Sequence, residues 1–339
     1  MGTILQRSGI ADEAYDVLYR FLGPLRGSLA VSTILISTLF AATTGIIGAS
    51  VTAMGLIALP SMLKRGYNKP LAAGTICAGG TLGILIPPSI MLIIWGVSAQ
   101  VSVAKMFIGA ILPGILLSML YIIFILVYSY LRPEVAPAVS REETSRYSRS
   151  EILVKFLKTF VPFILIIVGV LGGIFFGVVS PTEAGGPGSL FAIILTPVYR
   201  SFSFKMLKEA SPQTVQITSM IIYIFIGAKI FSRAFQTIGF GDVFTQFILS
   251  GDDMHFTSHY HMDPLLIGEY VCIFLQTSFI SPPFAYAIFY LKGVAGEELS
   301  TRDIYYKGVI PFLVLQLIGF SICLLFPEII MWPVSQMKL

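Results

Sequence analysis

The chain has 339 residues, 55% of them hydrophobic and only 12% charged, with a net charge of +4. Soluble domains carry about 25% charged residues, so a water-soluble globule is excluded and an all-α polytopic protein bathed in membrane lipid is expected. The basic residues are scattered through short loops instead of gathering on one face, which argues against a nucleic-acid partner.

Residues 1–27 mix polar and apolar side chains, with Arg7, Arg20 and Arg26 set against Asp12, Glu13 and Asp16. They read as a cytoplasmic or interfacial lead-in and carry no secretory signal pattern. Residues 28–62 are apolar but hold Thr43-Thr44-Gly45-Ile46-Ile47-Gly48-Ala49-Ser50 at their centre. Two half-length helices around such a tip predict a re-entrant hairpin; one glycine-kinked span is the alternative. A spanning helix needs roughly 20 apolar residues. Segments of that kind follow at 71–98, 104–131, 159–180, 183–199, 214–236, 264–291 and 308–333.

Two of these spans are interrupted, at Gly83-Ile84-Leu85-Ile86-Pro87-Pro88-Ser89 and at Thr277-Ser278-Phe279-Ile280-Ser281-Pro282-Pro283. Proline removes a backbone donor and clashes with the carbonyl one turn back, so Pro87-Pro88 and Pro282-Pro283 each force a break. Unpaired backbone groups cannot face lipid, so such breaks sit in protein or against a watery cavity. One break in each half of a chain points to a secondary transporter with internal repeats.

Lys and Arg collect in cytoplasmic loops. Lys64, Arg65 and Lys69, the polar loop 132–158, and Arg200, Lys205 and Lys208 therefore mark the inside, whereas residues 237–263 hold four aspartates and no Lys or Arg. Walking the chain on that basis makes the first broken helix run outward and the second inward, an inverted repeat. The expected organisation is a transport domain from 28–98 and 264–291. Scaffold helices occupy 99–236, an extracytoplasmic acidic and His-bearing loop 237–263, and a terminal helix and tail 292–339.

Where a helix unwinds, free carbonyls and nearby hydroxyls form a neutral oxygen cage suited to sodium. Thr43, Thr44, Gly45, Gly83, Ile84 and Ser89 are candidates for one cage, and Thr277, Ser278 and Ser281 for a second. Close helix packing by small residues is the plainer alternative. Glu183, in Ser180-Pro181-Thr182-Glu183-Ala184, is placed at an outward turn, either functional or capping the next helix with Thr182. Arg233 is expected to snorkel to the interface, and Glu269 to sit at headgroup level. Cys77, Cys272 and Cys323 read as packing residues. His255, His259 and His261 share one loop without rigid spacing, and no transition-metal site is expected there. HExxH, GxSxG and Walker patterns are absent from the sequence, so an enzyme or an ATP-driven pump is not indicated.

The run Phe40–Ser50, the stretch Ala73-Gly74-Thr75 through Gly79-Gly80-Thr81-Leu82-Gly83-Ile84-Leu85-Ile86-Pro87-Pro88-Ser89, and Ser180–Ala184 resemble the large membrane subunit of TRAP (tripartite ATP-independent periplasmic) transporters. Leu275-Gln276-Thr277-Ser278-Phe279 through Pro283, with Phe289-Tyr290-Leu291-Lys292-Gly293, is similar to the subgroup often labelled mannitol or chloroaromatic. The resemblance covers most of 1–248 and 271–333. It implies an elevator-type, sodium-coupled importer of the bacterial inner membrane. Its partners would be a small membrane subunit, a periplasmic binding protein and a small organic-acid substrate. It also implies sodium between each hairpin tip and its matching break, and no cofactor beyond that coupling ion. Against the family pattern, membrane segments before Met1 and a second hairpin between Phe247 and the second break are missing. The chain is thus expected to be N-terminally truncated and short of one hairpin. The alternative function is a transport-incompetent remnant or a scaffold that binds the partner subunits.

Overall fold

The structure is a computed structural model that describes residues 1–23, 25–138, 149–197, 202–239 and 263–337. The described residues are helical, with no strand among them. They fall into two units, Met1–Phe202 with Pro264–Leu339, and Ser203–Asp263.

The larger unit is built around α5 (Lys69–Thr81), in which every residue from Leu71 to Thr81 is buried. Its sequence, LAAGTICAGGT, carries small side chains all round, so neighbouring helices approach from several sides. The preceding helices α3 (Ser28–Thr44) and α4 (Ile47–Lys64) are joined by Gly45-Ile46 and pack on each other and on α5. Gly79 meets Ser37 and Ile34 of α3, and Gly80 lies against the Val51 backbone of α4. A terminal helix, α13 (Thr301–Leu325), closes on the same core. A Cβ at its Gly308 would lie 2.6 Å from the Pro70 carbonyl oxygen. Only glycine permits that approach.

Before this core, α1 (Gly2–Arg7) and α2 (Ile10–Leu22) form the lead-in. In α2, Ile10, Ala11, Ala14, Tyr15, Val17 and Leu18 are buried while Asp12, Glu13 and Asp16 face out. That is the one-sided pattern of a helix docked on a neighbour, and α2 packs on α3 and on α8 (Arg149–Phe175). After α5 come α6 (Ile90–Ser98), α7 (Val103–Leu131), α8 and α9 (Gly185–Leu195). The second broken helix is α11 (Pro264–Ile280) followed by α12 (Tyr286–Ala295), and α14 (Glu328–Ser335) ends the unit. The smaller unit contributes one long helix, α10 (Phe204–Thr237).

Among the described residues, five helices are long and apolar enough to cross a membrane: α4, α7, α8, α10 and α13. Several boundaries differ from those read off the sequence. α8 begins at Arg149 and takes in Lys155 and Lys158, because hydropathy sees the apolar stretch but not the polar helix that leads into it. α10 begins at Phe204 and takes in Lys205 and Lys208, with the Ser203 hydroxyl accepting from the Lys205 amide at 3.2 Å. The segment set at 308–333 begins earlier, at Thr301, where Ser300 caps the chain by accepting from the Asp303 amide at 3.1 Å. It stops at Leu325, since the residue before Pro327 is kept from helical backbone. Within α13, Ile304–Val309 form a π-helical turn. Pro311 supplies no N–H there, and the wider turn is one way a helix absorbs that loss. The acidic and histidine-bearing loop, and the place assigned to a missing hairpin, fall on residues 240–262, outside the described residues.

Candidate functional site

A helical carbonyl is normally served by the N–H four residues on. Pro87 and Pro88 therefore withhold donors from the carbonyls of Gly83 and Ile84. The chain tightens into a short 3-10 turn over Leu82–Ile84 and leaves the helix until Ile90. Ser89, fully buried, donates its hydroxyl to the Ile84 carbonyl and replaces one missing donor. The hairpin tip reaches this break directly. Gly45 takes a left-handed conformation, φ +61°, and its amide closes α3 on the Ala41 carbonyl at 3.0 Å. A Cβ there would lie 3.1 Å from the Pro88 carbonyl oxygen, and one on Gly83 would lie 3.7 Å from the Ile46 nitrogen. Tip and break thus meet main chain to main chain.

The hydroxyls around this junction have committed their protons. Thr43 Oγ1 and Thr44 Oγ1 each donate to the Phe40 carbonyl at 2.9 Å, and Ser50 Oγ lies 3.1 Å from Thr44 Oγ1. A hydroxyl that donates still has lone pairs. Gly45 and Gly83 thus meet at the junction with Ser89 bonded to Ile84, and Thr43 and Thr44 immediately precede the tip and also lie beside Gly2 of α1; none of the six carries a side-chain charge. This donor set fits a hard monovalent cation better than a transition metal.

The second break follows the same logic with a different closure. Pro282 and Pro283 withhold donors from Ser278 and Phe279. The amide of Ala285 donates to the Ser278 carbonyl at 3.2 Å and to the Ser281 carbonyl at 3.0 Å. Ala285 adopts φ +43° to do so, a region that costs a non-glycine residue about 1–2 kcal/mol. Buried Thr277 donates to the Phe274 carbonyl at 2.7 Å, while Ser278 and Ser281 are half-buried. Both Pro-Pro peptides are cis. Among the described residues no hydrogen bond joins the first set to the second.

The two halves are nevertheless held in one body. α12 packs on α4, where Gly48 faces the Tyr290 ring and Gly55 faces Leu291 and Val294. The Trp95 indole of α6 donates to the Pro264 carbonyl at the start of α11 at 3.0 Å. Residues with no local motif to single them out also appear here. Gln316 of α13 donates its amide to Thr81 at 3.2 Å, beside fully buried Tyr121. Only a map of which helices adjoin reveals that pair.

Glu183 closes its own turn instead of capping α9. Its carboxylate accepts from the Ser180 hydroxyl at 2.7 Å and more distantly from the Ser180 amide at 3.4 Å. Those bonds, the hydroxyl's first, hold the carboxyl below the usual carboxylate range. Glu269 departs furthest from expectation. Its side chain is completely enclosed in protein, because α7 and α14 cover that turn of α11. His255, His259 and His261 lie outside the described residues.

Comparison with known proteins gives this geometry its setting. The model of the family "Tripartite ATP-independent periplasmic transporter, DctM component" matches residues 1–258 and 254–329. The chain is 26% identical to the C4-dicarboxylate TRAP transporter large permease protein DctM of Pseudomonas aeruginosa, over 97% of this chain and 82% of that one. It is 28% identical to a putative TRAP transporter large permease protein of Haemophilus influenzae, over 99% of this chain and 90% of the relative. With the ectoine/5-hydroxyectoine large permease UehC of Ruegeria pomeroyi it shares 29% identity over 96% and 82%. Members of this family work with a small membrane subunit and a periplasmic binding protein. The chain belongs to the DctM component family of tripartite ATP-independent periplasmic transporters, and is a large permease subunit, a multi-pass transport protein of the bacterial inner membrane and not an enzyme.

Proposed function

We propose that this permease imports a small organic acid or related solute, handed over by a periplasmic binding protein, and that sodium drives the uptake. The observation that carries the reading is the contact of Gly45 with the Pro88 carbonyl. It sets a hairpin tip bearing hydroxyls against a broken helix with freed carbonyls, the kind of junction that coordinates sodium in such transporters. Thr43, Thr44, Gly45, Gly83, Ile84 and Ser89 would hold one sodium; Thr277, Ser278 and Ser281 would contribute to another. An organic-acid cargo is supported by the relatives, which are named for C4-dicarboxylate, ectoine and sialic acid transport. A kinship to the mannitol or chloroaromatic subgroup is supported by the residues around the second break. The packing of α4, α5 and α12 on one another supports a transport domain that moves as one piece, the elevator arrangement.

The test is reconstitution with the small subunit and the binding protein in vesicles. Solute uptake should require an inward sodium gradient and should fall sharply in Thr44→Ala with insertion unchanged. Uptake that ignores sodium would remove the coupling. No uptake at all, with both partners still bound, would favour the scaffold reading.

A further inference from the structure

Glu269 stands in the second turn of α11 with its side chain fully enclosed, and neither carboxyl oxygen has a hydrogen-bond partner. It presses on α7 at Gly109: a Cβ there would lie 3.2 Å from Glu269 Oε1 and 3.4 Å from Ile330 of α14. Glycine at 109 is what lets the carboxyl reach the α7 backbone. The helical donor for the Gly109 carbonyl would be residue 113, and residue 113 is proline inside the helix. The carbonyl that loses its regular helical donor therefore belongs to the very residue that the carboxyl touches.

Among the described residues no cation neutralises the carboxylate. On α11 itself the neighbours are Tyr270, whose hydroxyl donates to the Cys323 carbonyl at 3.3 Å, and buried Cys272. α13 offers Cys323, buried as a free thiol, and α14 offers Glu328, exposed and of like charge. The only basic residue of α7 is half-exposed Lys105, which forms no ion pair with Glu269. On α12, Lys292 is engaged by the carbonyls of Gly296 and Leu299, and Tyr286 and Tyr290 are exposed. On α5, Lys69 donates to the Glu298 carbonyl and Cys77 is a buried thiol; α6 carries no chargeable side chain. An ionised carboxylate enclosed without a counter-charge is strongly disfavoured. Ionisable groups at membrane depth are functional candidates by default.

We propose that Glu269 and the Gly109 carbonyl, which Pro113 deprives of its regular helical donor, form a proton-binding site in the protein interior, with the carboxylic acid donating its proton to that carbonyl. It is separate from the neutral oxygen clusters at the two breaks and gives the permease a second kind of bound cation. Two carboxyl oxygens and one carbonyl, walled by Ile330 and Cys272, offer too few ligands for a sodium shell but suffice for a proton.

Infrared difference spectroscopy of the purified full chain in lipid vesicles tests this without any transport assay, so it stands or falls apart from sodium coupling. At neutral pH the wild type should show the carbonyl-stretch band of a neutral carboxylic acid that is missing from Glu269→Gln and unchanged by sodium. Pro113→Ala returns an amide donor to Gly109 and should move that band to higher frequency, as the acid loses its acceptor. Should Glu269→Gln fail to insert, Glu269→Met, apolar and similar in shape, serves as the reference. The proposal is overturned if wild type and variant show no difference in that band, if sodium abolishes it, or if Pro113→Ala leaves it unmoved.

Discussion

At the first break a side chain of the loop, the Ser89 hydroxyl, meets the freed Ile84 carbonyl, and the hairpin tip comes in from outside, with Gly45 against Pro88. At the second, the loop closes through its own backbone, with the Ala285 amide shared between Ser278 and Ser281. The same pair of prolines is thus accommodated in two ways, and the difference assigns distinct jobs to similar residues. Side chains and a foreign tip hold the first break, so it should be sensitive to single substitutions. Strained main chain holds the second, so side-chain changes there should matter less.

The largest effect is expected from Gly45→Val. It puts a β-branched residue at positive φ against the Pro88 carbonyl, a combined penalty of about 2–4 kcal/mol. Thermal unfolding in detergent should show a clear drop, and uptake should be lost; a wild-type melting curve would dissolve the interlock. Next comes a matched pair. Ser89→Ala strips the Ile84 carbonyl of its donor at a buried site, about 1–3 kcal/mol. Ser281→Ala removes a hydroxyl whose neighbouring amide bonds the backbone, and should stay within about 0.5 kcal/mol. Equal losses in the two variants would erase the contrast. Ala285→Gly has the opposite sign: relief at φ +43° outweighs the added chain entropy, for a gain of about 0.5–1 kcal/mol.

The smallest effect belongs to Glu183, whose carboxyl is depressed by Ser180. A depressed folded-state value means that its contribution is present above the unfolded carboxylate pKa and fades as pH falls through the folded one. Glu183→Gln should therefore flatten the acid limb of the stability profile slightly and leave neutral pH nearly unchanged, as melting temperatures across that range would show.

The breaks and the tip were legible in the sequence because proline, glycine and threonine act on their own few residues of chain. Pro87-Pro88 and Pro282-Pro283 announce lost donors wherever they occur. What supplies the substitute is not local. Nothing in the neighbourhood of Ile84 says that Gly45 will lie against Pro88, and nothing near Thr81 selects Gln316. The enclosure of Glu269 is hidden for the same reason: its neighbours in sequence are apolar, and the cover over it comes from Gly109 and Ile330 on other helices. The starts of α8 and α10 escaped because a hydropathy window registers where a chain meets lipid, and a helix can begin well before that.

The keying of Gly48 and Gly55 onto Tyr290, Leu291 and Val294 has a consequence for biosynthesis. The glycine face of α4 leaves the ribosome well before its partner α12, with most of the other helices translated in between. Through most of synthesis that face must wait in the bilayer without its mate, covered by lipid or by an insertion factor. Completion of the core thus waits for α12, and chains released before it would leave the membrane machinery with an open seam for quality-control proteases to recognise.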